Sequence, residues 1–535
     1  MAEKHIRVTS DSVAMKARLF LILIVLTCIR LAICGQFELS PDEAYYYQWS
    51  QHPDLAYYSK GPGVAMTILA STKLFGVSEY GVRLFSPLLA LGTSLLVFGL
   101  ARRIYDERTG FWAAILTQCL PIFNVGALLM TIDPLSIFFW LLAVASFWRA
   151  LETSPRWTGW WLLTGLAVGL GALAKYTNLA GLLSMALVIT VIPAWRIEWR
   201  RPGIYTALLV TVLCLIPPLI WNQEHDWITL THLSERGKLE TGFVFRPDQP
   251  FKFLGEHFGV YSPLILTGLI ASFFCGLWNF RNHRKTAFLI SFASPLILLY
   301  FGLSLKEAGE ANWTAPAMVT LAIFATHDWL RRLERKPWMR VWIVVALSLG
   351  IFLSILLLSV EPLRKMRVGW TYAYDPGTRL QGWKESGVVV AQVRKEIEAK
   401  TGNSTFLIAN KYQVAASLAW YLPEKPVFRA GDVPVYIPES QMIQNQYSFW
   451  PSYDTFDEAA PHELDPFNTE ETGVNRFMGK NAVYVTDRPE GKPAAALMRG
   501  FESWEYFGER EITKHGMKVR KLRFFICYNY RTLPL

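Results

Sequence analysis

Residues 19–62 read LFLILIVLTCIRLAICGQFELSPDEAYYYQWSQHPDLAYYSKGP, and this stretch decides what kind of chain it is. Leu19 to Cys34 is an apolar run able to cross a roughly 30 Å hydrocarbon core once its flanks are included. Lys16 and Arg18 precede it and no small-residue cleavage site follows, so an uncleaved first membrane helix is expected. Beyond it come Ser40-Pro41-Asp42-Glu43-Ala44-Tyr45-Tyr46-Tyr47 and then Tyr57-Tyr58-Ser59-Lys60-Gly61-Pro62. Ionisable groups at the end of a membrane helix cost free energy unless they are paired, hydrated or used. Two adjacent carboxylates, a lysine and a row of tyrosines suit a sugar joined to a phosphate. One carboxylate can take the proton of an acceptor hydroxyl while the ammonium holds the leaving phosphate. The same carboxylates also fit plain capping, because acids after Ser-Pro are favoured by the helix dipole.

Outward from this stretch the pattern repeats. Ten further apolar runs follow: Leu84 to Ala101, Phe111 to Met130, Pro134 to Trp148, Trp157 to Ala174, Leu179 to Trp195, Ile204 to Trp221, Pro263 to Phe280, Thr286 to Leu305, Trp313 to Thr326 and Val341 to Val360. Eleven spans are therefore expected, with Pro62 to Phe75 read as a short interfacial or re-entrant helix. Of the 535 residues 52% are hydrophobic and only 18% charged, well below the quarter usual in soluble domains, which makes this a membrane protein. The net charge of +10 does not signal nucleic-acid binding, because the basic residues fall in short loops between spans. Those loops carry Arg102, Arg103 and Arg108, then Arg149 and Arg156, Arg196 to Arg201, Arg281 to Lys285, and Arg331 to Arg340. They face the cytoplasm by the positive-inside rule, and the N-terminus with them.

The two long segments, 35–83 and 222–262, then lie outside, as does everything after residue 361. Residues 1–361 are expected to be the membrane domain. Residues 362–535 mix candidate strands (Ser404 to Ala409, Asn481 to Thr486, Arg520 to Cys527) with helical patches (Val388 to Ala399, Val414 to Tyr421), which predicts a small extracytoplasmic α/β or α+β domain. The six cysteines form neither a disulfide framework nor a zinc pattern.

Three more outer positions carry chemistry. Thr131-Ile132-Asp133-Pro134 puts a lone acid between two apolar helices, in the same layer as Asp42; it is either a functional carboxylate or the cap of the next helix. Ala174-Lys175-Tyr176-Thr177 puts a lysine on the side where positive charge is disfavoured, as a phosphate ligand or as a snorkelling side chain. Glu256-His257 supplies a phosphate or metal candidate, though two residues are not a metal signature. Lys306, Glu307 and Glu310 form another outer polar group ahead of Asn312-Trp313.

The order of these motifs resembles the bacterial GT-C membrane glycosyltransferases of family 39, including the aminoarabinose lipid A transferases and the dolichyl-phosphate-mannose protein mannosyltransferases. The resemblance runs through Ser40-Pro41-Asp42-Glu43, Lys60-Gly61-Pro62, Thr131-Ile132-Asp133-Pro134, Ala174-Lys175-Tyr176, Glu256-His257-Phe258 and Glu310-Ala311-Asn312-Trp313-Thr314-Ala315-Pro316. It continues into the tail at Lys411-Tyr412-Gln413 to Trp420-Tyr421-Leu422-Pro423 and Asn445-Gln446-Tyr447 to Trp450. It implies a polytopic helical fold of 11 to 13 membrane helices with a periplasmic domain, in the bacterial inner membrane. It also implies an inverting transfer of a sugar from a polyprenyl-phosphate donor to an outer acceptor, a glycolipid such as lipid A or its core, or a protein hydroxyl.

Carried onto this sequence, the resemblance makes Asp42 the base and Asp133 the supporting carboxylate. Lys60, Lys175 and His257 become ligands of the donor phosphate, and Glu43, Tyr46 and Tyr58 contacts to substrate. A divalent metal on Asp42 or His257 is implied by some relatives, but here Ser59 stands where those carry an acid. A lipid-linked sugar transporter or flippase is the competing reading; its polar groups would lie at mid-membrane, whereas these charges cluster at the outer rim.

Overall fold

The computed structural model describes residues 2–237, 244–358, 378, 380–425, 432–440, 442–455 and 475–532. The chain divides into two compact units, one of residues 1–35 with 53–359 and one of residues 36–52 with 360–535. The segment carrying Asp42 thus clusters with the C-terminal residues, although it follows the first span directly. The expected boundary at residues 361 and 362 lies outside the described residues.

The first unit is helical. Among the described residues six helices are long and apolar enough to cross a membrane: Ser12–Ile33, Glu79–Ile104, Ile132–Thr153, Pro202–Glu224, Arg284–Ser304 and Trp338–Leu357. The number rises to as many as eight if two bent pairs each make one span. The difference from eleven apolar runs has identifiable causes. Proline bends the run after Leu179, where Tyr176–Val191 meets Pro193–Arg200 at 116°. Asp248–Tyr261 meets Pro263–Trp278 at 114° through Ser262, which sits at a positive φ of 69°. The run from Phe111 breaks before Pro121 into Glu107–Gln118 and Pro121–Gly126. Gly159–Ala174 and Gly63–Phe75 are shorter than a full span.

The break before Pro121 is chemically closed. Asn124 Nδ2 donates to the freed carbonyls of Gln118 (2.7 Å) and Leu120 (3.2 Å). Arg30, buried on the first helix, donates to Gln118 Oε1 and Asn124 Oδ1, both at 2.7 Å. The core is apolar and aromatic, with Phe147, Trp148, Trp161, Trp195, Phe288 and Phe292 in mutual ring contact and the Trp140 Nε1 proton given to Thr320 Oγ1. Leu208, Leu209, Val212 and Leu213 are exposed along Pro202–Glu224, as befits a face that meets lipid tails.

The second unit holds a four-stranded sheet in the order β1-β2-β4-β3, with β1 Thr405–Ala409, β2 Asn481–Thr486, β3 Phe501–Lys514 and β4 Met517–Tyr530. β1 and β2 are parallel, pairing Thr405 with Asn481; β4 runs antiparallel to both β2 and β3. Helices Trp383–Thr401 and Tyr412–Tyr421 accompany it, so the expected strands and helical patches are present. β3 was not expected. It is an edge strand whose charged residues face water, and it joins β4 through His515-Gly516, both at positive φ, as a two-residue hairpin turn requires.

Candidate active site

The segment 36–52 is held by its own cap. Ser40 caps helix Pro41–Gln51, its Oγ accepting from Glu43 N at 3.2 Å while Glu43 Oε2 accepts from Ser40 N at 2.9 Å. This capping box fully buries Glu43, so that residue, expected at the substrate, anchors the helix start. Asp42 shares the first turn, where the helix dipole favours its negative charge. Tyr45 accepts a hydrogen bond from Gln446 N (2.8 Å) and packs on the Tyr412 and Tyr447 rings; Tyr46 stands edge-on to Trp49 at 5.1 Å. The tail motifs around Tyr412 and Tyr447 therefore build the wall on which this helix rests.

In the membrane unit Asp133 and Lys175 come together. The cap of Ile132–Thr153 is Thr131, whose Oγ1 accepts from Asp133 N, so the acid is not the cap. Its carboxylate instead accepts from Lys175 Nζ at 2.8 Å through one oxygen and from Asn312 Nδ2 at 2.7 Å through the other. Lys175, with 6% of its side chain exposed, ends helix Gly159–Ala174 and is committed to this pair. Asn312 belongs to the turn Ala311–Thr314. That turn is fixed by His257, whose Nε2 pairs with Thr314 Oγ1 at 2.9 Å and whose Nδ1 pairs with the Phe253 carbonyl at 2.7 Å. The Tyr261 hydroxyl reaches the same turn at Thr314 (3.2 Å) and Ala311 O (3.3 Å).

Both nitrogens of His257 are thereby occupied, and no group of three His, Cys, Asp or Glu able to hold a metal occurs among the described residues. These residues do not fit the divalent ion that the sequence resemblance allowed.

Lys60 sits on a tight hairpin in which Tyr57 N donates to Lys60 O at 2.9 Å. Asp54 Oδ2 accepts from Trp221 Nε1 at 2.8 Å and pins the hairpin to the end of Pro202–Glu224. Gly61 then lies so close to helix Gly159–Ala174 that a Cβ there would meet Leu173 O at 2.4 Å. Only glycine permits that approach, and it brings the Lys60 hairpin beside the turn that carries Lys175. Tyr58 packs on His232 with ring centres 4.6 Å apart. His232 lies within helix Ile228–Arg236, whose last residue, Arg236, holds its guanidinium 5.2 Å from the Trp313 ring centre. Trp313 adjoins Asn312, so the helix Ile228–Arg236 touches the Lys60 hairpin through Tyr58 and the turn that carries Asn312 through Arg236. Burial, with the charges of Lys60 and Arg236, holds the His232 imidazole down at about 4.

Sequence reasoning missed His232 and Arg236. The signal was their spacing of one helical turn beside Leu230 and Leu233, an amphipathic stretch inside the long loop 222–262.

Residues 59–221, which include Lys60, Asp133 and Lys175, match the family model described as Dolichyl-phosphate-mannose-protein mannosyltransferase. The chain is 30% identical over 312 residues to a lipid A galacturonosyltransferase from Rhizobium johnstonii, covering 57% of this chain and 63% of that protein. It is 28% identical over 359 residues to an undecaprenyl phosphate-alpha-4-amino-4-deoxy-L-arabinose arabinosyl transferase from Pseudomonas paraeruginosa, covering 61% and 62%. The matched segment is thus under two thirds of each relative's own length. Among solved structures, ArnT from Cupriavidus metallidurans bound to undecaprenyl phosphate is similar with a TM-score of 0.59 at 15% identity, over 94% of this chain and 97% of that one. Its apo form gives 0.58 at 16%, over 95% and 98%. At such identity the likeness is one of fold. The resemblance read from the motifs is borne out at this level: an ArnT-like GT-C fold, mostly helical, with a small C-terminal sheet domain. The helices long and apolar enough to cross a membrane are those of a multi-pass membrane protein.

Proposed function

We propose that this chain is an inverting glycosyltransferase that moves a sugar from a polyprenyl-phosphate donor to a cell-envelope glycolipid such as lipid A or its core. The observation that carries the reading is the row of contacts from Tyr58, two residues before Lys60, through His232, Arg236, Trp313 and Asn312 to the Asp133–Lys175 pair. The reading it supports is that these cationic side chains meet the phosphate of a lipid anchored in the bilayer. In the proposed step Asp42 takes the proton of the acceptor hydroxyl, and the acceptor oxygen bonds to the anomeric carbon from the face opposite the leaving group. The anomeric carbon–oxygen bond breaks, and polyprenyl phosphate departs with its charge held by Lys60. Asp133 and Lys175 act in this proposal as a supporting pair of net zero charge.

The topology belongs to the same proposal: eleven to thirteen spans, a cytoplasmic N-terminus, residues 1–361 as the catalytic membrane domain and 362–535 in the periplasm. The names of the relatives give a uronic acid in one case and an amino pentose in the other, so they leave the sugar class open. The bent pairs Tyr176–Val191 with Pro193–Arg200 and Asp248–Tyr261 with Pro263–Trp278 favour a second reading, a lipid-linked sugar transporter, because broken helices are a transporter feature.

The test uses the purified full chain in lipid nanodiscs, with polyprenyl-phosphate sugars and an envelope lipid extract, following transfer by mass spectrometry for wild type and Asp42→Asn. Transfer by wild type and its loss by about 10²- to 10⁴-fold in the variant, with donor binding retained, is the expected result. Equal transfer by both removes Asp42 from the role of base.

A further inference from the structure

We propose that the C-terminal residues belong to the catalytic apparatus: Glu38, held between the start of helix Trp383–Thr401 and Lys514 of β3, is the positioning residue that sets where Asp42 stands. The inference rests on the reading above that Asp42 is the base, and it begins from the helix that carries that acid. Pro41–Gln51 has 11 residues, too few for a stable helix in water, so its shape depends on what it packs against. Ala44, Tyr45, Tyr47, Gln48 and Trp49 are buried while Asp42 is exposed. The helix therefore turns its apolar face to its support and presents its acid.

The support comes from residues far away in sequence. Leu39 N donates to the Tyr421 hydroxyl at 2.6 Å, Tyr47 stands edge-on to Trp420 at 4.5 Å, and His52 stacks on Trp450 at 4.5 Å. The polar hold lies at Glu38, four residues before Asp42. Its Oε2 accepts from the backbone N–H of Trp383 at 2.5 Å and of Lys384 at 3.3 Å, and its Oε1 accepts from Lys514 Nζ at 2.6 Å. Gly382 occupies the cap position of helix Trp383–Thr401 and has no side chain to serve the first amides. Glu38 supplies that cap from 345 residues away, with its negative charge at the positive end of the helix dipole. The Arg520 guanidinium lies 3.6 Å over the Trp383 ring and within electrostatic reach of Glu38. With 4% of its side chain exposed, Glu38 is shielded from water, where charge-assisted hydrogen bonds are strong. Leu39 alone separates it from Ser40, the cap of the Asp42 helix, so a shift at Glu38 carries into the first turn. A base displaced by about 1 Å costs about 10²-fold in rate.

The experiment uses the full chain in nanodiscs with polyprenyl-phosphate sugars and an envelope lipid extract, and measures kcat and the donor KM. Glu38→Gln, Lys514→Met and Lys514→Arg are each made in the wild-type protein and in the Asp42→Asn background. Lys514→Met leaves both amide bonds of Glu38 in place and is the variant that disturbs folding least. Glu38→Gln and Lys514→Met are expected to lower kcat by about 10- to 100-fold with donor KM within about threefold of wild type, and Lys514→Arg to recover most of the loss. In the Asp42→Asn background the same substitutions are expected to change the residual transfer by less than about twofold, because no base is left to position. An equal fold-loss in both backgrounds makes Glu38 a structural residue and overturns the proposal. Wild-type kcat in Glu38→Gln and Lys514→Met, with Asp42→Asn inactive, overturns the proposal and leaves the base reading intact. Asp42→Asn as active as wild type removes the base reading and this proposal with it.

Discussion

Two clusters of charge at the membrane unit's helix ends differ in how their charge is answered. In the first, Asp133 has both oxygens engaged, by Lys175 and by Asn312, and the turn carrying Asn312 is locked by His257 and Tyr261. In the second, Lys60 and Arg236 lie within electrostatic reach of His232, whose ring packs on Tyr58, and the Arg236 guanidinium lies over the Trp313 ring. A pair whose lysine is buried and whose carboxylate has both oxygens engaged fixes geometry. A guanidinium on a ring face keeps its charge available to an anion. The contrast supports the proposal that the first cluster is framework and the second meets the ligand, although the sequence reading placed Lys60 and Lys175 in one role.

Splitting the pair breaks this comparison most directly. Lys175→Met leaves the half-buried Asp133 without its counter-charge, and the membrane unit is expected to lose about 1 to 3 kcal/mol of stability. Asp133→Asn, which strands the lysine, is expected to behave similarly. The double variant Asp133→Asn/Lys175→Met recovers much of the loss, because neither charge is left alone. Thermal unfolding in detergent measures all three. A Lys175→Met protein as stable as wild type that has lost only donor binding would make Lys175 a phosphate ligand and merge the two clusters.

Lys60 supplies the contrasting case. Replacing it by alanine is expected to lower transfer by about 10²- to 10³-fold while stability stays within about 0.5 kcal/mol of wild type, since the group is only half-buried. Loss of several kcal/mol of stability in Lys60→Ala would give it the framework role instead. A smaller change is expected at the far edge of the first cluster. His257→Ala removes two buried hydrogen bonds and is expected to cost about 1 to 3 kcal/mol, with transfer insensitive to chelators in both proteins. Chelator-sensitive transfer that His257→Ala abolishes would restore the histidine to a metal.

How much of this was readable in the chain follows from range. The membrane class and the sheet domain depend on local hydropathy and strand pattern, and those survive in any one-dimensional reading. The Asp133–Lys175 pair does not, because it joins the ends of different helices and only the packed bundle fixes which acid meets which base. The apolar runs and the straight helices part company where proline bends a helix without interrupting its apolar composition, at Pro121 and Pro193. β3 was hidden because an edge strand exposed on one side carries Glu, Arg and Lys at positions a buried strand would fill with apolar residues. Helix Ile228–Arg236 is short and amphipathic, so His232 and Arg236 were passed over as loop.

His232 gives the finest test, because its titration reports whether the second cluster is really cationic. Its pKa falls to about 4 through burial first and the charges of Lys60 and Arg236 second. A histidine depressed in the folded state binds fewer protons there than in the unfolded chain. Stability from this group is therefore full above about 6.5 and is lost as pH falls towards 4. Because the ring is only half-buried, solvent screening reduces the effect to about 1 kcal/mol. His232→Gln is expected to remove that part of the pH slope. Arg236→Gln or Lys60→Met is expected to raise the histidine's pKa towards its ordinary value, read from the imidazole resonances of the labelled protein. Asp133→Asn should leave it unmoved if the two clusters are electrostatically separate, and a shift as large as that caused by Arg236→Gln would show that they titrate as one site.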